Sequence, residues 1–336
     1  MKKLLSTVAT AMLLSAAAQA ETTLTVANWL PPSHPLVSEV IVPMTEQIKE
    51  ATGGEVVANI LPAPLGPPPA HFDFAINGVA DITFGVQGYS AGRFKTTNIA
   101  EIPFLGDSAE AISVAYWRTY EAMLKDAGEY DDVKVLGIFT HGPGEIFLKE
   151  GDATSVDLLS GKKLRVGGGI VHEVASTLGA VPVEGPSSKA YELLSQGVAD
   201  GILFPYESVS FFKLIPQLEM GVSVPGGLYN TSFFIVMNKA KWESLTPEQQ
   251  AAIDSVTGEA LARMAGQMWD RVDAAGLEAM AGKTTVTAAT AEQVAAWEKA
   301  LKPVVDAKLA EVSETGVDGA AALEMLKAEI AAVEAE

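Results

Sequence analysis

A four-residue motif occurs twice in this 336-residue chain, each time between a predicted helix and a predicted strand. Gly78-Val79-Ala80-Asp81 precedes the strand pattern at 82–86, and Gly197-Val198-Ala199-Asp200 follows the predicted helix at 190–195. A motif that returns in the same helix-to-strand context is what duplication of an α/β half leaves in a sequence. The repeat therefore predicts two similarly built α/β lobes.

Helix and strand patterns also alternate along the rest of the chain, as is typical of α/β sheets. Further strands are predicted at 24–29, 56–61, 133–139, 146–148 and 163–166, and helices at 37–48, 72–77, 112–127 and 170–178. The last third is predicted to be helical. A long helix begins at the capping box Thr246-Pro247-Glu248-Gln249 and runs towards Gly282, and a second helix begins at 290–293. We expect a helical tail at 318–336 to pack across a lobe. No low-complexity linker separates the lobes, so we expect crossing strands and the long helix to form a hinge.

The first twenty residues have the pattern of a secretory signal peptide. Lys2 and Lys3 precede an apolar run at 4–17, and Ala18-Gln19-Ala20 provides a small-x-small exit. The run is too short to span a bilayer, and a buried N-terminal helix, the alternative, would have no capping residue. We expect cleavage after Ala20 and a mature protein in the periplasm.

Composition excludes several classes of function. Cysteine is absent, so neither disulfides nor thiolate metal sites are available. The formal net charge of −19 becomes −21 in the mature chain, because Lys2 and Lys3 are the only charged residues of the signal peptide. Such a surface repels phosphate backbones and anionic lipid, so nucleic-acid binding is not expected. No metal or cofactor is expected either, since the four histidines lack metal-site spacing and the turn 167–169 lacks G-x-G-x-x-G.

The strongest candidate for ligand binding is Arg165, which lies on a predicted strand that runs into the glycine turn 167–169 and then a helix near Ile170. Open α/β sheets bind ligands beyond the carboxyl ends of their strands, and a helix start attracts anions. A guanidinium stays charged and holds a carboxylate through two parallel hydrogen bonds. We expect Arg165 and Gly167 to contact an anionic ligand; the alternative is a solvated arginine beside a flexible turn.

Other strand ends supply further candidates. Phe204, Tyr206 and Glu207 follow the second repeat strand and are expected to face the same cleft, although the two aromatic residues could equally be core and Glu207 a helix-start charge. Trp29 and Gln87 occupy strand-end positions in the first lobe, where Trp29 stacks on a ligand or packs. His71 precedes a helix of that lobe and is expected to line the cleft.

An enzymatic alternative rests on Ser90. Gly88-Tyr89-Ser90-Ala91-Gly92 matches the nucleophile elbow of serine hydrolases, and Asp107 with His141 or His172 would supply the partners in chain order. An elbow serine needs a helix directly afterwards, but residues 93–98 have no apolar helical period. The motif is short enough to arise by chance.

Several segments together resemble the periplasmic solute receptors of TRAP transporters, the DctP type. The resemblance covers essentially the whole mature chain and is carried by Ala27-Asn28-Trp29, 78–82, Arg93-Phe94 with 101–105, 159–166, 196–201 and 237–239. In that family the arginine of the 161–166 element pairs with the ligand carboxylate, and the resemblance carries that role onto Arg165. It also implies two α/β lobes with a hinge, strands that cross between them and a long helix that spans both.

On this reading the signal peptide (residues 1–20) is followed by a first lobe of residues 21–144 plus 231–268 and a second lobe of residues 145–230 plus 269–336. The expected protein is a monomer without enzymatic turnover. It closes its lobes on a small organic acid and delivers the acid to the membrane permease subunits of a TRAP transporter.

Two departures from the family pattern bear on the ligand. Members commonly place an asparagine shortly after the second repeat strand, where this chain has Phe204-Pro205-Tyr206-Glu207, and Glu145 stands where relatives often present a neutral or basic contact. These residues weigh against a simple C4-dicarboxylate or sialic acid and predict a more aromatic site. We expect a monocarboxylate with an aromatic or hydroxylated body. A zwitterion is the second choice, and an amine held by Glu207 is the third because it leaves Arg165 unpaired.

Overall fold

The computed structural model describes residues 21–336, so the predicted signal peptide lies outside the described residues. The strands are β1 (Thr22–Val26), β2 (Val56–Ile60), β3 (Ile82–Val86), β4 (Val133–Thr140), β5 (Glu145–Leu148), β6 (Lys163–Val166), β7 (Val181–Glu184), β8 (Gly201–Phe204), β9 (Met220–Ser223), β10 (Ser232–Asn238) and β11 (Thr285–Ala288). The helices are α1 (Val42–Ala51), α2 (His71–Ile76), α3 (Ala109–Thr119), α4 (Ile170–Thr177), α5 (Ala190–Ser195), α6 (Tyr206–Phe211), α7 (Lys239–Glu243), α8 (Pro247–Asp254), α9 (Glu259–Met280), α10 (Ala291–Ser313) and α11 (Gly319–Glu334). Among these described helices, none combines the length and the apolar character needed to cross a bilayer.

The strands form two separate mixed sheets with helices packed around them. One sheet has the order β2-β1-β3-β10-β4, and the other has the order β11-β9-β5-β8-β6-β7. In the first sheet β1, β2 and β3 run parallel, and β10 pairs antiparallel with both of its neighbours. In the second sheet β6, β7 and β8 run parallel, and β5 pairs antiparallel with both of its neighbours. The predicted α/β fold with two lobes is confirmed.

The repeated motif performs the same structural task in both sheets. Asp81 accepts hydrogen bonds at one carboxylate oxygen from the backbone amide (2.7 Å) and hydroxyl (2.8 Å) of Thr25 in β1. Asp200 accepts a hydrogen bond of 2.8 Å from the backbone amide of Lys163 in β6. Each aspartate therefore fixes the start of its own strand beside a parallel neighbour, which explains why the motif occurs once in each lobe.

The predicted long helix is broken, and the prediction of one continuous helix is wrong. The capping box at Thr246 opens α8, which ends at Asp254, and the chain turns before α9 begins at Glu259. Gly258 lies in this turn with φ +66°, and its amide donates a hydrogen bond of 2.7 Å to the carbonyl of Leu136. An added Cβ at this glycine would lie 2.8 Å from the ring of Trp117. The turn between the two helices is therefore closely packed and requires a glycine.

Helix α9 is the element that joins the two halves of the molecule. It packs against α3 and β4 on the side of the first sheet and against α6 on the side of the second. The C-terminal helices also touch both sides, since α10 packs on α4 whereas α11 packs on α3. The last helix thus contacts an element of the first predicted lobe although its residues fall within the predicted range of the second. The lobe bounds at 144, 230 and 268 remain predictions.

Candidate ligand-binding site

A cavity lies where the carboxyl ends of strands from both sheets meet. Its wall is built from residues at or after the ends of β1, β3, β6 and β8, from the two connections that cross between the sheets (residues 141–144 and 224–231), and from α9. The cavity contains about 510 Å³ of free space, part of which is open to solvent. The wall consists of Trp29, Leu30, His34, Leu36, Val86, Tyr89, His141, Arg165, Gly167, Ser187, Phe204, Pro205, Ser208, Phe212, Tyr229, Thr231, Phe233 and Trp269.

Arg165 is the single formally charged residue of this wall, and it is 3 % exposed. Its Nε and Nη2 atoms donate hydrogen bonds of 3.0 and 2.6 Å to the carbonyl of Gly185, and its guanidinium lies 4.4 Å from the centre of the Phe204 ring. Among the residues that the structure describes, no carboxylate lies within 4.0 Å of it. Burial lowers the pKa of Arg165 from its ordinary value. A buried cation without a counter-ion is costly, and an anionic ligand would remove that cost.

Most of the remaining wall is aromatic. The indole Nε1 of Trp29 donates a hydrogen bond of 3.0 Å to the carbonyl of Phe84, which fixes that ring at the edge of the cavity. His34 and His141 add two imidazole rings, and burial lowers the pKa of His34 to about 3 and that of His141 to about 4. Both histidines are therefore neutral at pH 7, and they leave Arg165 as the net charge of the wall. Further rings come from Tyr89, Phe204, Phe212, Tyr229, Phe233 and Trp269.

The glycine turn after β6 allows a close approach to the guanidinium. An added Cβ at Gly167 would lie 3.8 Å from Nη2 of Arg165 and 3.7 Å from the Tyr89 ring. A side chain at this position would therefore fill space beside the charged group. Gly168 and Gly169 both have positive φ, +88° and +72°, and they turn the chain into α4.

The start of α4 differs from the expectation that its free amides attract the ligand. The carboxyl of Glu101 lies there, and its Oε2 would be 2.9 Å from an added Cβ at Gly169. Its Oε1 accepts hydrogen bonds from the amide (2.9 Å) and hydroxyl (2.5 Å) of Ser232. Burial raises the pKa of Glu101, and hydrogen bonds from Ser232 and from the amide of Ile170 oppose that rise. The chain's own carboxyl thus takes the place at the helix start that we had expected for the ligand.

Residues 26–311 match the model of the DctP family, described as bacterial extracellular solute-binding protein, family 7. The chain belongs to this family. The resemblance seen in the sequence is confirmed, and the family to which the chain belongs consists of solute receptors rather than enzymes, placed outside the cytoplasm. DctP-type receptors of TRAP transporters bind small organic acids and work with permease components.

Three relatives show how close the match is. A TRAP periplasmic solute-binding protein from Bordetella bronchiseptica, with bound (R)-mandelate and (S)-mandelate, is 37 % identical; the alignment covers 93 % of this chain and 99 % of that one, with a TM-score of 0.90. A marine metagenome TRAP protein specific for aromatic acid ligands, co-crystallised with 3-hydroxybenzoate, is 32 % identical over 93 % and 98 % of the two chains, with a TM-score of 0.86. TsaT of Comamonas testosteroni, named an outer membrane transporter protein, is 30 % identical over 98 % of both chains.

In this DctP-type receptor, four of the nine residues expected to touch the ligand lie in the cavity wall, namely Arg165, Trp29, Gly167 and Phe204. His71 lies behind Trp29, with the two ring centres 6.5 Å apart, and is fully buried. Burial lowers its pKa to about 4. His71 therefore supports the wall and is not part of it.

Gln87 is turned into the first-sheet side of the receptor. Its Nε2 donates a hydrogen bond of 2.6 Å to the hydroxyl of Tyr130, and its Oε1 accepts one of 3.2 Å from Tyr116 and contacts the hydroxyl of Ser232. Its amide is thus engaged by three hydroxyls outside the cavity wall. The strand-end rule placed the residue correctly along the chain, but these hydroxyls determine where its side chain points.

Glu145, Tyr206 and Glu207 also lie outside the wall. Oε2 of Glu145 accepts a hydrogen bond of 2.6 Å from the amide of Val224, and burial raises the pKa of that carboxyl well above its ordinary value. The hydroxyl of Tyr206 is buried without a hydrogen-bond partner, and its ring packs on Phe147. Glu207 lies in the first turn of α6 and is 3 % exposed. None of the three therefore supports an amine or zwitterion site in this cavity.

The residues of the hydrolase alternative do not form a triad. Among the described contacts, the hydroxyl of Ser90 has no histidine partner. His141 is engaged with the carbonyl of Gly142, His172 lies 2.6 Å from a carboxylate oxygen of Glu184, and Asp107 accepts a hydrogen bond of 2.7 Å from the amide of Gly226. The receptor family and this geometry both leave hydrolysis through Ser90 without support.

Sequence reasoning missed several wall residues. Tyr89 follows β3 at a strand end and could have been found by the rule that found Trp29. His34 and Trp269 carried no such signal, because one follows a proline turn and the other lies inside α9. Tyr229 precedes β10, whose pairing between β3 and β4 was not predicted.

Proposed function

We propose that this receptor captures an aromatic or hydroxylated monocarboxylate between its two lobes in the periplasm and delivers it, as a monomer, to a TRAP-type permease. The proposal rests on a single observation. Arg165 is a buried cation in an aromatic wall, and none of the described carboxylates neutralises it. A ligand carboxylate would supply the missing negative charge through charge-assisted hydrogen bonds.

The number of charges in the wall favours one carboxylate over two. A dicarboxylate would bring a second negative charge into a cavity whose other polar groups are neutral, and burying that charge unpaired costs several kcal/mol, on the order of the penalty for an isolated buried ion. An amine would add a second cation beside Arg165. A monocarboxylate is the ligand whose charge matches the wall.

The aromatic rings favour a planar body on the ligand. Trp29, Phe204 and Phe212 offer faces or edges, and aromatic pairs contribute about 0.5–1.5 kcal/mol beyond the burial of their area. The two related receptors with bound mandelate and 3-hydroxybenzoate carry ligands of this kind. The cavity is of a size that suits a single ring with a short acidic substituent.

Isothermal titration of the mature protein with benzoate, mandelate, succinate and phenylethylamine tests the proposal. We expect the two aromatic acids to bind and succinate and the amine to bind far more weakly. Arg165→Ala should weaken aromatic-acid binding at least about a hundredfold, close to 2.7 kcal/mol. Arg165→Lys should recover only part of it, since an ammonium lacks the two-pronged geometry.

Arg93→Ala is the matched control, because Arg93 is an exposed arginine paired with Asp73. It should leave affinity unchanged. Equal affinity of the wild type and Arg165→Ala for benzoate, with both proteins folded, would contradict the carboxylate role of Arg165. Tight binding of phenylethylamine alone would contradict the ligand class.

A further inference from the structure

The cavity wall contains a second polar region that is separate from Arg165. His34 and Ser208 both line the cavity, and Glu207 lies directly behind them. Ser208 donates a hydrogen bond of 2.8 Å to Oε2 of Glu207, and Nε2 of His34 lies 3.7 Å from Oε1. All three side chains belong to residues less than 9 % exposed. Among the hydrogen bonds of the described residues, none links any of these three side chains to Arg165.

The hydrogen position on His34 follows from its surroundings. Nδ1 of the ring accepts a hydrogen bond of 3.1 Å from the amide of Leu36, so in the neutral ring the hydrogen is on Nε2. The distance from Nε2 to Glu207 is too long for a hydrogen bond. The Nε2–H donor therefore has no partner among the described residues.

An acceptor beside this donor is also unused. Oε1 of Glu207 is buried without a hydrogen-bond partner. The same is true of Nε1 of Trp269, whose ring centre lies 6.2 Å from that of His34. Buried polar groups normally find partners, and leaving one unpaired costs about 1–3 kcal/mol. An unused donor on His34 in the wall of a binding cavity, with unpartnered buried polar atoms packed behind the wall, indicates a missing polar atom of the ligand.

We propose that His34 and Ser208 form a subsite for a hydroxyl group on the ligand. The ligand oxygen accepts the Nε2–H hydrogen bond of His34, and the ligand hydroxyl donates its hydrogen to Oγ of Ser208, whose own hydrogen is given to Glu207. A hydroxyl fits because it is donor and acceptor at once. The inference rests on the proposed function and narrows it to hydroxylated aromatic acids, with the carboxylate at Arg165 and the hydroxyl at His34.

The remaining chemistry of the region agrees with a neutral substituent. Burial lowers the pKa of His34 to about 3 and raises that of Glu207 to about 7. The rings of Phe211, Phe212 and Trp269 surround the imidazole, with centres 4.5, 6.0 and 6.2 Å away. An ionised second group on the ligand would have to enter this apolar surrounding without a counter-charge, whereas a hydroxyl would not.

A two-by-two titration tests the subsite. Benzoate is compared with 3-hydroxybenzoate and 4-hydroxybenzoate on the wild type and on His34→Asn. Asparagine can offer Oδ1 to the amide of Leu36, as Nδ1 of histidine does, but it does not reach the position of Nε2. We expect at least one hydroxybenzoate to bind the wild type roughly three- to tenfold more tightly than benzoate, the yield of one net hydrogen bond. That advantage should vanish in His34→Asn while benzoate affinity persists.

His172→Asn is the matched control, since His172 is an exposed histidine paired with Glu184, and it should keep the full advantage. Thermal unfolding of each variant checks the fold. A measurement that needs no variant is the ¹⁵N signal of His34 Nε2, which should move with the preferred hydroxybenzoate and stay nearly in place with benzoate.

The failures of the two proposals are distinguishable. If benzoate binds in an Arg165-dependent way but neither hydroxybenzoate gains over it, the subsite is wrong and the proposed function stands. If the gain persists in folded His34→Asn, the hydroxyl is bound elsewhere and the assignment to His34 is wrong. If no aromatic acid binds the wild type, both proposals fall.

Discussion

Asp270 and Asp273 lie about one turn apart on α9, and each holds the start of a helix on a different side of the molecule. Asp270 accepts hydrogen bonds from the amides of Ala109 (2.6 Å) and Glu110 (3.1 Å) and from the hydroxyl of Ser108 (2.9 Å), at the start of α3. Asp273 accepts one of 2.7 Å from the amide of Glu207, in the first turn of α6. The lobe-spanning helix therefore binds both halves through adjacent carboxyls at helix N-termini, where negative charge is favoured.

We expect the two aspartates to respond differently to substitution by asparagine. Both carboxylate oxygens of Asp270 accept hydrogen bonds, from three donors in all. In Asp270→Asn an NH2 group replaces one oxygen and faces an N–H or O–H donor, so the free energy of unfolding should fall by about 1–3 kcal/mol. Asp273 uses one oxygen, the other has no partner, and burial raises its pKa well above the ordinary value. Asp273→Asn should therefore cost less than about 1 kcal/mol. Urea unfolding of both variants at pH 7 measures the contrast, and equal losses would contradict it.

Glu207 makes a pH-dependent contribution to the free energy of unfolding, and a substitution can separate this contribution from that of other groups. Burial raises its pKa from 4.5 to about 7, so the folded protein holds the proton longer than the unfolded chain does. Stability from this group is present below pH 4.5 and is lost as pH rises to about 7. Relative to Glu207→Gln, the wild type should therefore lose about 3 kcal/mol between pH 4.5 and pH 8.

Urea unfolding of wild type and Glu207→Gln across that range is the measurement. The groups that face Glu207 are His34 at 3.7 Å and Asp273 through the backbone amide, and both remain in the variant. Their own titration therefore largely cancels in the difference. If the free energy of unfolding of the two proteins changes with pH in parallel, Glu207 ionises in the folded protein as it does in the unfolded chain, and the prediction is wrong.

Much of the fold could be predicted because local patterns were strong. β6 was predicted at its observed bounds, and so was the helix α5 that precedes the second Gly-Val-Ala-Asp motif. The short strands β7, β9 and β11 were missed; β7 contains a proline and β9 a glycine, and both residues are uncommon inside strands. Such segments become strands through pairing with neighbours that lie far away in the sequence, and this information is not local.

The sequence predicted the cavity residues whose position follows from the end of a strand. It did not predict those whose side chains are placed by packing or by hydrogen bonds to distant parts of the chain. Arg165 and Trp29 follow from the rule that ligands bind beyond the carboxyl ends of strands. The side chains of Gln87 and Glu145 are turned away by hydrogen bonds to partners that are far apart in the chain. His34 lies in the cavity wall because its turn packs against Phe211, and no spacing in the sequence indicates this contact.

The ligand-free protein should become more stable when its buried cation is removed. Arg165 is shielded from water without a counter-ion, a state that costs several kcal/mol in typical proteins. Arg165→Met keeps a long side chain in the apolar wall but loses two hydrogen bonds to the carbonyl of Gly185. We expect the midpoint of thermal unfolding to rise without ligand and the stabilisation by benzoate to disappear. A lower midpoint would mean that the hydrogen bonds outweigh the desolvation of the charge.

The backbones of Gly88, after β3, and Gly168, after β6, touch across the boundary between the two sheets. An added Cβ at Gly88 would lie 3.0 Å from the carbonyl oxygen of Gly168, and one at Gly168 would lie 2.7 Å from that of Gly88. Gly88 does not have a positive φ, so alanine there strains the contact between the lobes and not its own backbone. The two glycines thus allow the lobes to come together over the cavity.

Gly88→Ala should therefore weaken ligand binding by hindering closure. Overpacking of a close contact costs about 1–3 kcal/mol, so we expect the dissociation constant for benzoate to rise roughly 5- to 150-fold. The unfolding temperature should fall less without ligand than with it, because the bound receptor always makes this contact and the free receptor makes it only while its lobes are together. Ala91→Ser, three residues away on an exposed turn, is the control and should bind as the wild type does. If Gly88→Ala lowers the ligand-free unfolding temperature and leaves the dissociation constant unchanged, the contact belongs to the resting fold and has no part in closure.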